Sequence, residues 1–352
     1  MRILHAIQEM GPGGAERVVV GLAAGAMAAG NQVAVASAPG SLISEVEGPH
    51  LPLPLLERNI WKLPRTTLAV GRAVRAFGAD LVHCHNPGLA AAVGPATLRG
   101  RRPRSLVSVH GVPDEDYGRA ARVLRIAGLP VIACGPGVAS GLQEAGVQPF
   151  ATILNGVAPA PLAADRAALA TEWGIAPDRP LVLAVGRLAP VKNHELAIRA
   201  LAGVPEANLA IVGEGPLLEE LRRIAESTGV ADRVVFAGFR PDARELMGAA
   251  DAVVLPSRAE GLPLVALEAL AAGTPLVATA IRGVRELVGD GAAVLVAPDD
   301  PTALAGELRR VLTDSSLAER LSRVGRKVAA LHSEDAMVAA YLALYERLAA
   351  RG

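Results

Sequence analysis

The chain has 352 residues, of which 51% are hydrophobic and 20% are charged, and its 35 Lys and Arg residues balance 35 Asp and Glu residues. This length exceeds what one hydrophobic core normally supports, so two domains are expected. The composition argues against extensive disorder, and the zero net charge gives no global attraction to nucleic acid or to an anionic membrane.

Several features predict a cytoplasmic protein. The first residues run directly into strand-like sequence, so no secretion signal is expected. The most apolar stretch, residues 18–30, is too short and too rich in glycine to span a bilayer. Cys84 and Cys134 each end an apolar run, and we interpret them as reduced core residues.

Short runs rich in Val, Ile and Leu recur along the chain, and each is followed by a segment of helical length. Such alternation predicts buried parallel strands covered by helices. The predicted strands are 3–7, 33–37, 81–84, 106–109, 131–134 and 152–154, then 181–185, 209–212, 234–237, 252–255, 276–278 and 293–296.

The alternation pauses once, in the Ala- and Pro-rich residues 158–180, which resemble a linker. We therefore predict an α/β protein with two facing Rossmann-like domains, residues 1–160 and 161–335, and a cleft between them. A final helix, residues 336–352, is expected to pack back on the first domain. Because ligands bind at the carboxyl ends of such strands, residues that follow strands are the candidate site residues.

Three strand ends of the first domain carry candidates. The loop with Gly13 and Gly14 would let backbone approach an anion, but it lacks the full G-x-G-x-x-G spacing, so a plain turn remains an alternative. His83 and His85 share a strand face without a suitably spaced third ligand, which favours a structural role over a metal site. His110 follows the fourth strand, where both a catalytic and a structural role remain open.

The second domain carries the stronger signals. Arg187 and Lys192 follow its first strand and precede a helix, an arrangement suited to a diphosphate, although a solvated surface pair is the alternative. Pro263 suits the first position of the helix after the 252–255 strand, which would direct the N–H groups of residues 261–265 at an anion. Glu268 lies in an otherwise apolar helix and must be paired, exposed or bound to ligand, for example to ribose hydroxyls.

At this point the sequence resembles the retaining glycosyltransferases of the GT-B fold, family 4. The resemblance rests on E-G-L-P-L-V-A-L-E at 260–268, followed by A-x-A-x-G-T-P-L-V-A-T. Further motifs occur in the same order: G-G-A-E-R, S-V-H-G, L-N-G-V, V-G-R-L with V-K-N, V-G-E-G-P and F-A-G-F. It covers nearly the whole chain and is strongest in residues 180–290.

The resemblance implies a hexosyltransferase that moves a sugar from a UDP- or GDP-sugar to a saccharide, lipid-linked or small-molecule hydroxyl. By similarity Arg187 and Lys192 hold the diphosphate, Glu268 binds the ribose, and His110 lies near the sugar and the acceptor oxygen. The remaining implied contacts are Glu260 with Gly261, Leu262, Pro263, Leu264 and Val265 at the sugar, Phe239 and Arg240 beside the base, Gly186 beside Arg187, and Gly13 and Gly14 at the phosphates.

No cofactor is expected. Arg187, Lys192 and helix N-termini would stabilise the departing diphosphate without a metal, and no Asp-x-Asp motif of the metal-dependent type is recognised. No convincing nucleophile is visible, which favours a same-face mechanism for retention. A nucleotide-sugar 2-epimerase and a non-catalytic nucleotide-sugar-binding protein are the alternatives.

One surface feature bears on partners. Arg99, Arg101, Arg102 and Arg104 form a basic cluster that could contact a membrane peripherally, on its inner face. Four charges without an adjoining apolar face bind membranes weakly, so a solvated turn is the preferred interpretation.

Overall fold

We describe a computed structural model of the chain for residues 1–56, 60–97, 103–289 and 291–350. The chain forms two compact units. Unit 1 comprises Met1–Gly156 and Glu334–Gly352, and unit 2 comprises Val157–Ser333. The boundaries therefore lie four and two residues before the predicted positions, 160 and 335.

Unit 1 is built on a parallel sheet of seven strands in the order β3-β2-β1-β4-β5-β6-β7. The central strands are buried on both faces, as expected for a sheet covered by helices. The strands are β1 (Arg2–Glu9), β2 (Gln32–Ala38), β3 (His50–Pro52), β4 (Leu81–Cys84), β5 (Arg104–Val109), β6 (Val131–Ala133) and β7 (Ala151–Thr152). The helices, numbered along the chain, are α1 (Gly14–Ala28), α2 (Leu63–Phe77), α3 (Pro87–Ala96), α4 (Tyr117–Ala127), α5 (Pro136–Glu144) and α14 (Glu334–Ala350).

Helix α14 belongs to unit 1 through its buried stripe and its hydrogen bonds. Met337, Tyr341, Leu344 and Tyr345 are buried. Met337 Sδ accepts a hydrogen bond from the Gly156 amide at 3.3 Å, which ties the helix to the end of the unit's first segment. The helix also contacts α1, and the Tyr345 hydroxyl bonds to His83 of β4, so the helix packs on the sheet beside α1.

Unit 2 has a parallel sheet of six strands in the order β10-β9-β8-β11-β12-β13. The strands are β8 (Leu181–Val185), β9 (Asn208–Val212), β10 (Val234–Gly238), β11 (Ala252–Leu255), β12 (Leu276–Thr279) and β13 (Val294–Val296). The helices are α6 (Arg166–Trp173), α7 (His194–Leu201), α8 (Leu218–Ser227), α9 (Ala243–Ala249), α10 (Leu264–Ala272), α11 (Arg282–Val288), α12 (Pro301–Thr313) and α13 (Ser315–Ala330).

Local sequence sets many helix ends. Asp165, Asp300 and Asp314 each accept a hydrogen bond from a first-turn amide of the helix that follows. At the other end, Gly174 and Gly273 adopt left-handed conformations that a side chain would strain. Helix α6, with its two caps, lies within residues 158–180, the segment whose composition resembles a linker.

The predicted α/β class with two Rossmann-like sheets is confirmed. The short edge strand β3 was not predicted, since its three residues are only partly buried and end in proline. Among the described helices, none combines the length and the apolarity that a membrane span requires.

Candidate functional site

The carboxyl edge of the unit 2 sheet gathers the predicted donor-site residues. The strand order reverses between β8 and β11, which is where open parallel sheets bind ligands. Gly186 and Gly213 directly follow the neighbouring strands β8 and β9, with φ values of 156° and 144°. A side chain on Gly213 would overlap the Gly186 carbonyl, so glycine is required where these loops meet.

Lys192 and Glu260 form an ion pair across this switch point. Lys192 Nζ donates to Glu260 Oε1 at 2.7 Å, and the Ser257 hydroxyl donates to the same oxygen at 2.7 Å. The two charged side chains are only 24% and 11% exposed, so solvent screens the pair less than a surface ion pair. The structure thus brings together the predicted phosphate-binding lysine and the predicted sugar-binding glutamate.

Arg187 stands apart from this pair. Its residue is exposed, and its side chain makes no hydrogen bond or ion pair with another residue of the described ranges. A guanidinium presents five donors in a planar fork that matches phosphate oxygens. Arg187 is therefore available to an anionic ligand at the end of β8.

Asp299, which the sequence analysis did not select, connects three loops of this edge. Its Oδ1 accepts hydrogen bonds from Asn193 Nδ2 at 3.0 Å and from Arg258 Nη2 at 3.0 Å. Asn193 is buried in a left-handed conformation with φ 50°, one residue after Lys192. Arg258 lies two residues before Glu260, and its amide donates to the Val191 carbonyl at 2.8 Å. These hydrogen bonds connect the loops that carry Lys192 and Glu260 and hold them in place.

Helix α10 begins one residue later than predicted. Pro263 is the N-cap, with φ −75° and ψ 102°, and not the first helical residue. Proline fits either position because its missing N–H is not needed there. The first intrahelical bond runs from Leu267 to the Pro263 carbonyl, so the earlier amides of the helix are without intrahelical partners. Leu262 and Leu264 are buried at this end, beside Gly261 and Val265.

Gly283 fixes the loop before α10 from the opposite side. A Cβ at this position would overlap the Glu260 and Gly261 carbonyls. Helix α11 therefore packs with its backbone against the backbone that carries Glu260. A larger residue would displace that loop.

Glu268 is paired. Its Oε1 lies 3.9 Å from Nε of Arg244, and its side chain is 15% exposed. Arg244 also donates to the Ala158 and Pro159 carbonyls at 2.6 and 2.7 Å. The sequence analysis expected Glu268 to be paired, exposed or bound to ligand. The structure shows that it is paired with the partly buried Arg244.

Arg240 is held by the protein. It donates to both oxygens of Asp242 at 2.7 Å, bonds to Glu172 and lies 6.0 Å from the ring centroid of Trp173. The hydrogen bonds that Arg240 donates to Asp242 are the main reason that the pKa of Arg240 is raised, and they also lower the pKa of Asp242. Phe239, half-buried at the end of β10, precedes it.

The glycine loop of unit 1 caps its own helix. Gly13 is the N-cap of α1, with extended backbone, and Gly14 is the first helical residue. A side chain on Gly13 would overlap the Glu16 carboxylate, so that carboxylate lies beside the helix N-terminus. An incoming phosphate would have to displace it.

His110 is half-buried and lies beside a cluster of three buried histidines in unit 1, His5, His83 and His85. Its Nε2 lies 3.1 Å from His85 Nδ1, and His85 Nε2 lies 2.9 Å from His5 Nδ1. His83 stacks near His85, with ring centroids 3.9 Å apart. Burial lowers the pKa of His5 and of His110 to about 4, and it lowers the pKa of His83 and of His85 well below 6.5.

The expectation that His83 and His85 lack a third partner was wrong. The register of β1 and β4 pairs His5 with His83, and nitrogen atoms of His5, His83 and His85 lie within 4.8 Å of one another. Both nitrogens of His83 already have protein partners: Nδ1 lies 2.6 Å from the Tyr345 hydroxyl, and Nε2 lies 2.7 Å from the Ser108 hydroxyl. This geometry favours a hydrogen-bonded core over a metal centre.

The expectation about Asp-x-Asp also needs a correction. Asp114, Glu115 and Asp116 have that spacing, in a one-turn helix shortly after His110. Within the part of the chain that the structure describes, their oxygen atoms are not grouped closely enough with a third ligand to hold an ion. The histidine group is the cluster with that property.

The predicted basic cluster is only partly described. Arg99, Arg101 and Arg102 lie outside the described residues, whereas Arg104 is exposed at the start of β5. The cluster as a whole stays a prediction.

Comparison with known proteins identifies the two units. Residues 12–160 match the sequence profile described as Glycosyltransferase Family 4, and residues 165–328 match the one described as Glycosyl transferases group 1. Two successive parts of the chain are thus similar to glycosyltransferase domains, and each match covers less than half of the chain. This agrees with the family resemblance of the motifs.

Two relatives that are named glycosyltransferases match this chain over only part of their own length. The lipopolysaccharide core biosynthesis glycosyltransferase LpsE of Rhizobium meliloti is 34% identical over 185 residues, which are 52% of this chain and 53% of that protein. A D-inositol 3-phosphate glycosyltransferase of Mycolicibacterium paratuberculosis is 37% identical over 52% of this chain and 44% of that protein. The chain thus spans about half the length of the curated relatives it matches.

Solved structures support the fold along the whole chain. Anabaena HepE in complex with UDP and glucose has a TM-score of 0.85 at 24% identity, covering 97% of this chain and 98% of that one. Sucrose-phosphate synthase from Thermosynechococcus elongatus has a TM-score of 0.85 at 25% identity, covering both chains fully. The two sheets therefore have the fold of GT-B glycosyltransferases.

Proposed function

We propose that this protein transfers a sugar from a nucleoside diphosphate sugar, UDP- or GDP-linked, to a hydroxyl acceptor, retaining the anomeric configuration and without a divalent cation. The observation that carries the proposal is the switch point of unit 2. There an unpaired arginine, a lysine and the first-turn amides of α10 belong to neighbouring loops, with Glu260 between them. The Anabaena HepE complexes with UDP and UDP-glucose support a donor of this kind.

The chemistry follows from the charges. Departure of the nucleotide leaves negative charge on a diphosphate and an oxocarbenium-like sugar. Arg187 and Lys192 would stabilise the diphosphate, and the α10 amides add dipolar stabilisation that needs no metal. Glu268 and Glu260 would bind ribose and sugar hydroxyls as bidentate acceptors.

Retention would proceed on one face of the sugar. Glu260 is held by Lys192 and Ser257, and a carboxylate whose charge is already stabilised by two donors is a poor nucleophile. The departing phosphate would instead assist deprotonation of the acceptor. A covalent glycosyl-enzyme observed by mass spectrometry would contradict this mechanism.

The experiment is turnover of a panel of UDP- and GDP-sugars with saccharide and polyprenyl-phosphate acceptors, with EDTA or with added Mg²⁺. Nucleotide release that needs an acceptor and is unaffected by EDTA supports the proposal, and product NMR reads the anomeric configuration. Isomerised donor without acceptor would indicate the epimerase. Binding without turnover would indicate a non-catalytic nucleotide-sugar-binding protein.

We further propose peripheral contact of unit 1 with an anionic membrane. Along α2 and the turn before it, exposed positions recur every three to four residues: Trp61, Arg65, Leu68, Arg72 and Arg75. Trp61 is 88% and Leu68 is 61% exposed. This row combines three arginines with two large apolar side chains, and such a combination suits a lipid interface. The basic cluster at residues 99–104 has cations without an adjoining apolar face.

Vesicle co-sedimentation tests the contact. Binding to phosphatidylglycerol vesicles at low salt should fall at high salt and fall further in the double variant Trp61→Ala/Leu68→Ala. The matched control is Leu331→Ala, which removes an equally exposed apolar side chain from unit 2. Equal sedimentation of all three proteins would contradict the contact. A cytoplasmic location is part of the same proposal and agrees with the two buried cysteines, neither of which is in a disulfide within the described residues.

A further inference from the structure

Arg244 of α9 connects Glu268 of α10 to the first residues of unit 2. Its Nε lies 3.9 Å from Glu268 Oε1, and its Nη2 donates to the carbonyls of Ala158 and Pro159 at 2.6 and 2.7 Å. The side chains of Arg244 and Glu268 are 29% and 15% exposed, so solvent screens their attraction only in part. We call residues 158–164, which follow the first residue of unit 2, the entry segment.

The contact stabilises the charge of Glu268 without taking an acceptor position of Oε1. A hydrogen bond joins atoms about 2.7–3.2 Å apart, so the 3.9 Å contact is ionic and not a hydrogen bond. An ionised carboxylate has several acceptor positions on its two oxygens. Arg244 therefore supports the anion and does not compete with a hydroxyl that donates to it.

The apolar surroundings of Glu268 explain why a nearby cation matters. Leu267, Ala269 and Leu270, on the same helix, are buried. Burial removes water from a carboxylate and disfavours its charged form, and a close positive charge offsets part of that cost. The charged form is also the stronger acceptor of hydrogen bonds. Arg244 thus favours the state of Glu268 that binds hydroxyls best.

Hydrogen bonds hold the three elements of this connection together. Thr274, in the loop after α10, donates its hydroxyl to the Met247 carbonyl of α9 at 2.6 Å. The Ala164 amide of the entry segment donates to the Glu245 carbonyl of α9 at 3.0 Å. Because α9 is fixed to α10 on one side and to the entry segment on the other, Arg244 and Glu268 keep one relative arrangement.

We propose that Arg244 is a positioning residue for nucleotide binding. It keeps the Glu268 carboxylate charged and in place for the 2′- and 3′-hydroxyls of a ribose, and the backbone of the entry segment holds Arg244 in turn. Arg244 itself does not touch the nucleotide. The inference rests on the proposed function for the role of Glu268. It makes the entry segment, whose composition resembles a linker, a part of the nucleotide site.

The test is calorimetric binding of UDP, GDP and their 2′,3′-dideoxy forms to wild type and to Arg244→Gln. Wild type should bind UDP or GDP on the order of 10- to 100-fold more tightly than the dideoxy form, because hydrogen bonds to a charged acceptor are lost. In Arg244→Gln this ratio should fall at least about fivefold, while the affinity for the dideoxy form stays within about twofold of wild type. An unchanged ratio in Arg244→Gln would overturn the proposal.

The wild type alone already puts the proposal at risk. Equal affinity for a nucleotide and its dideoxy form would mean that no carboxylate holds the ribose, which overturns the proposal without any variant. Arg244→Lys adds a second check, since it keeps a cation near Glu268 and should retain a higher ratio than Arg244→Gln. A ratio in Arg244→Lys no higher than in Arg244→Gln would contradict the role of the charge.

A double-mutant cycle separates positioning from a direct contact. If Arg244 acts through Glu268, Arg244→Gln should change nucleotide affinity by less than about twofold in a protein that already carries Glu268→Gln. Arg310→Gln, which breaks a partly exposed ion pair with Glu307 on α12, is the control and should bind like wild type. Additive losses in the cycle, or an equal loss for the dideoxy form, would show that Arg244 acts on the nucleotide by another route and would overturn the proposal.

These measurements read binding alone, so they are separate from the transfer reaction. A wild type that binds UDP or GDP but transfers no sugar would end the proposed function and leave the result for Arg244 standing. A wild type that transfers sugar while Arg244→Gln keeps the full ratio would end this inference and leave the proposed function standing. A wild type that binds neither nucleotide would overturn both.

Discussion

Lys192 Nζ lies 2.7 Å from Glu260 Oε1, which joins the loop after β8 to the loop after β11 across 68 residues of sequence. Each residue is implied to touch a different part of a donor, the diphosphate and the sugar. The two charges satisfy each other in this structure. A donor that contacts both residues would therefore compete with this ion pair.

Replacing Glu260 by Gln should separate binding from turnover. The variant frees Lys192 from its anionic partner, so UDP alone should bind as tightly as in wild type or several-fold more tightly. Transfer should fall by a factor on the order of 100 or more, because a sugar contact is lost. Calorimetry with UDP and a turnover assay measure the two effects. Weaker UDP binding in Glu260→Gln would contradict the competition between the pair and the ligand.

Replacing Lys192 by Ala should weaken UDP binding on the order of 10- to 100-fold, since a charge-assisted bond to phosphate is lost. Of the two groups that donate hydrogen bonds to Glu260 Oε1, Lys192 and Ser257, only the Ser257 hydroxyl then remains. The control is Lys327→Ala, at the last turn of α13, which should bind UDP like wild type. Equal affinity of Lys192→Ala and wild type would show that the lysine does not contact the nucleotide.

The hydrogen bonds of Asp299 to Asn193 and Arg258 should matter more for nucleotide affinity than for the free energy of unfolding. Arg258 and Asp299 are 47% and 58% exposed, so solvent screens their ion pair and Asp299→Ala should cost only about 1 kcal/mol of unfolding free energy. Nucleotide affinity should fall by about tenfold, because the loop after β8 loses its anchor at Asn193. The control Asp232→Ala changes an exposed carboxylate elsewhere in unit 2. A loss of stability without a loss of affinity would contradict a positioning role.

Stability should fall on acidification. Burial lowers the pKa of His5, His110 and His194 to about 4, whereas the unfolded value is near 6.5. Between pH 6.5 and 4 the unfolded chain binds more protons than the folded one, so stability is fully present above pH 6.5 and decreases below it. Each of these groups contributes a slope of up to about 1.4 kcal/mol per pH unit.

Thermal unfolding from pH 7.5 to pH 5 measures this slope. His5→Asn and His110→Asn should each flatten it, and His50→Gln, which lies outside the histidine cluster of unit 1, serves as the control. A midpoint that does not change over this range would contradict the neutral, buried state of the histidines.

The bonds between α14 and β4 should stabilise unit 1. Tyr345→Phe leaves His83 Nδ1 buried without its partner at 2.6 Å, which should lower the unfolding free energy by about 1–3 kcal/mol. Denaturant unfolding measures the change, with the exposed Glu346→Ala on the same helix as the control. If both variants unfold at the same denaturant concentration as wild type, the helix is held by its apolar stripe alone.

The sequence predicted what depends on local pattern. The two parallel sheets follow from apolar runs separated by helices. Arg187 and Lys192 were selected from their positions after a strand, and Glu260 was selected from the family motif. What depended on register or on distant loops was missed. His5 joins His83 only because β1 and β4 align these residues, and Asp299 reaches Asn193 across 106 residues. Pro263 was misplaced by one position because a proline fits both the N-cap and the first turn.

The central claim is that unit 2 binds a nucleoside diphosphate sugar at the switch point of its sheet. The most direct test is thermal unfolding of wild type, Arg187→Ala, Glu268→Ala and the surface control Arg222→Ala with UDP, GDP, ADP and their sugar conjugates, with and without EDTA. A ligand at a hundred times its Kd should add about 2.7 kcal/mol, which is several degrees for a unit of this size. The account predicts that one nucleotide raises the midpoint of wild type and control, that EDTA leaves the shift unchanged, and that both site variants lose most of it. If no nucleotide stabilises the wild type, or if the site variants respond like the control, the donor-site assignment is contradicted.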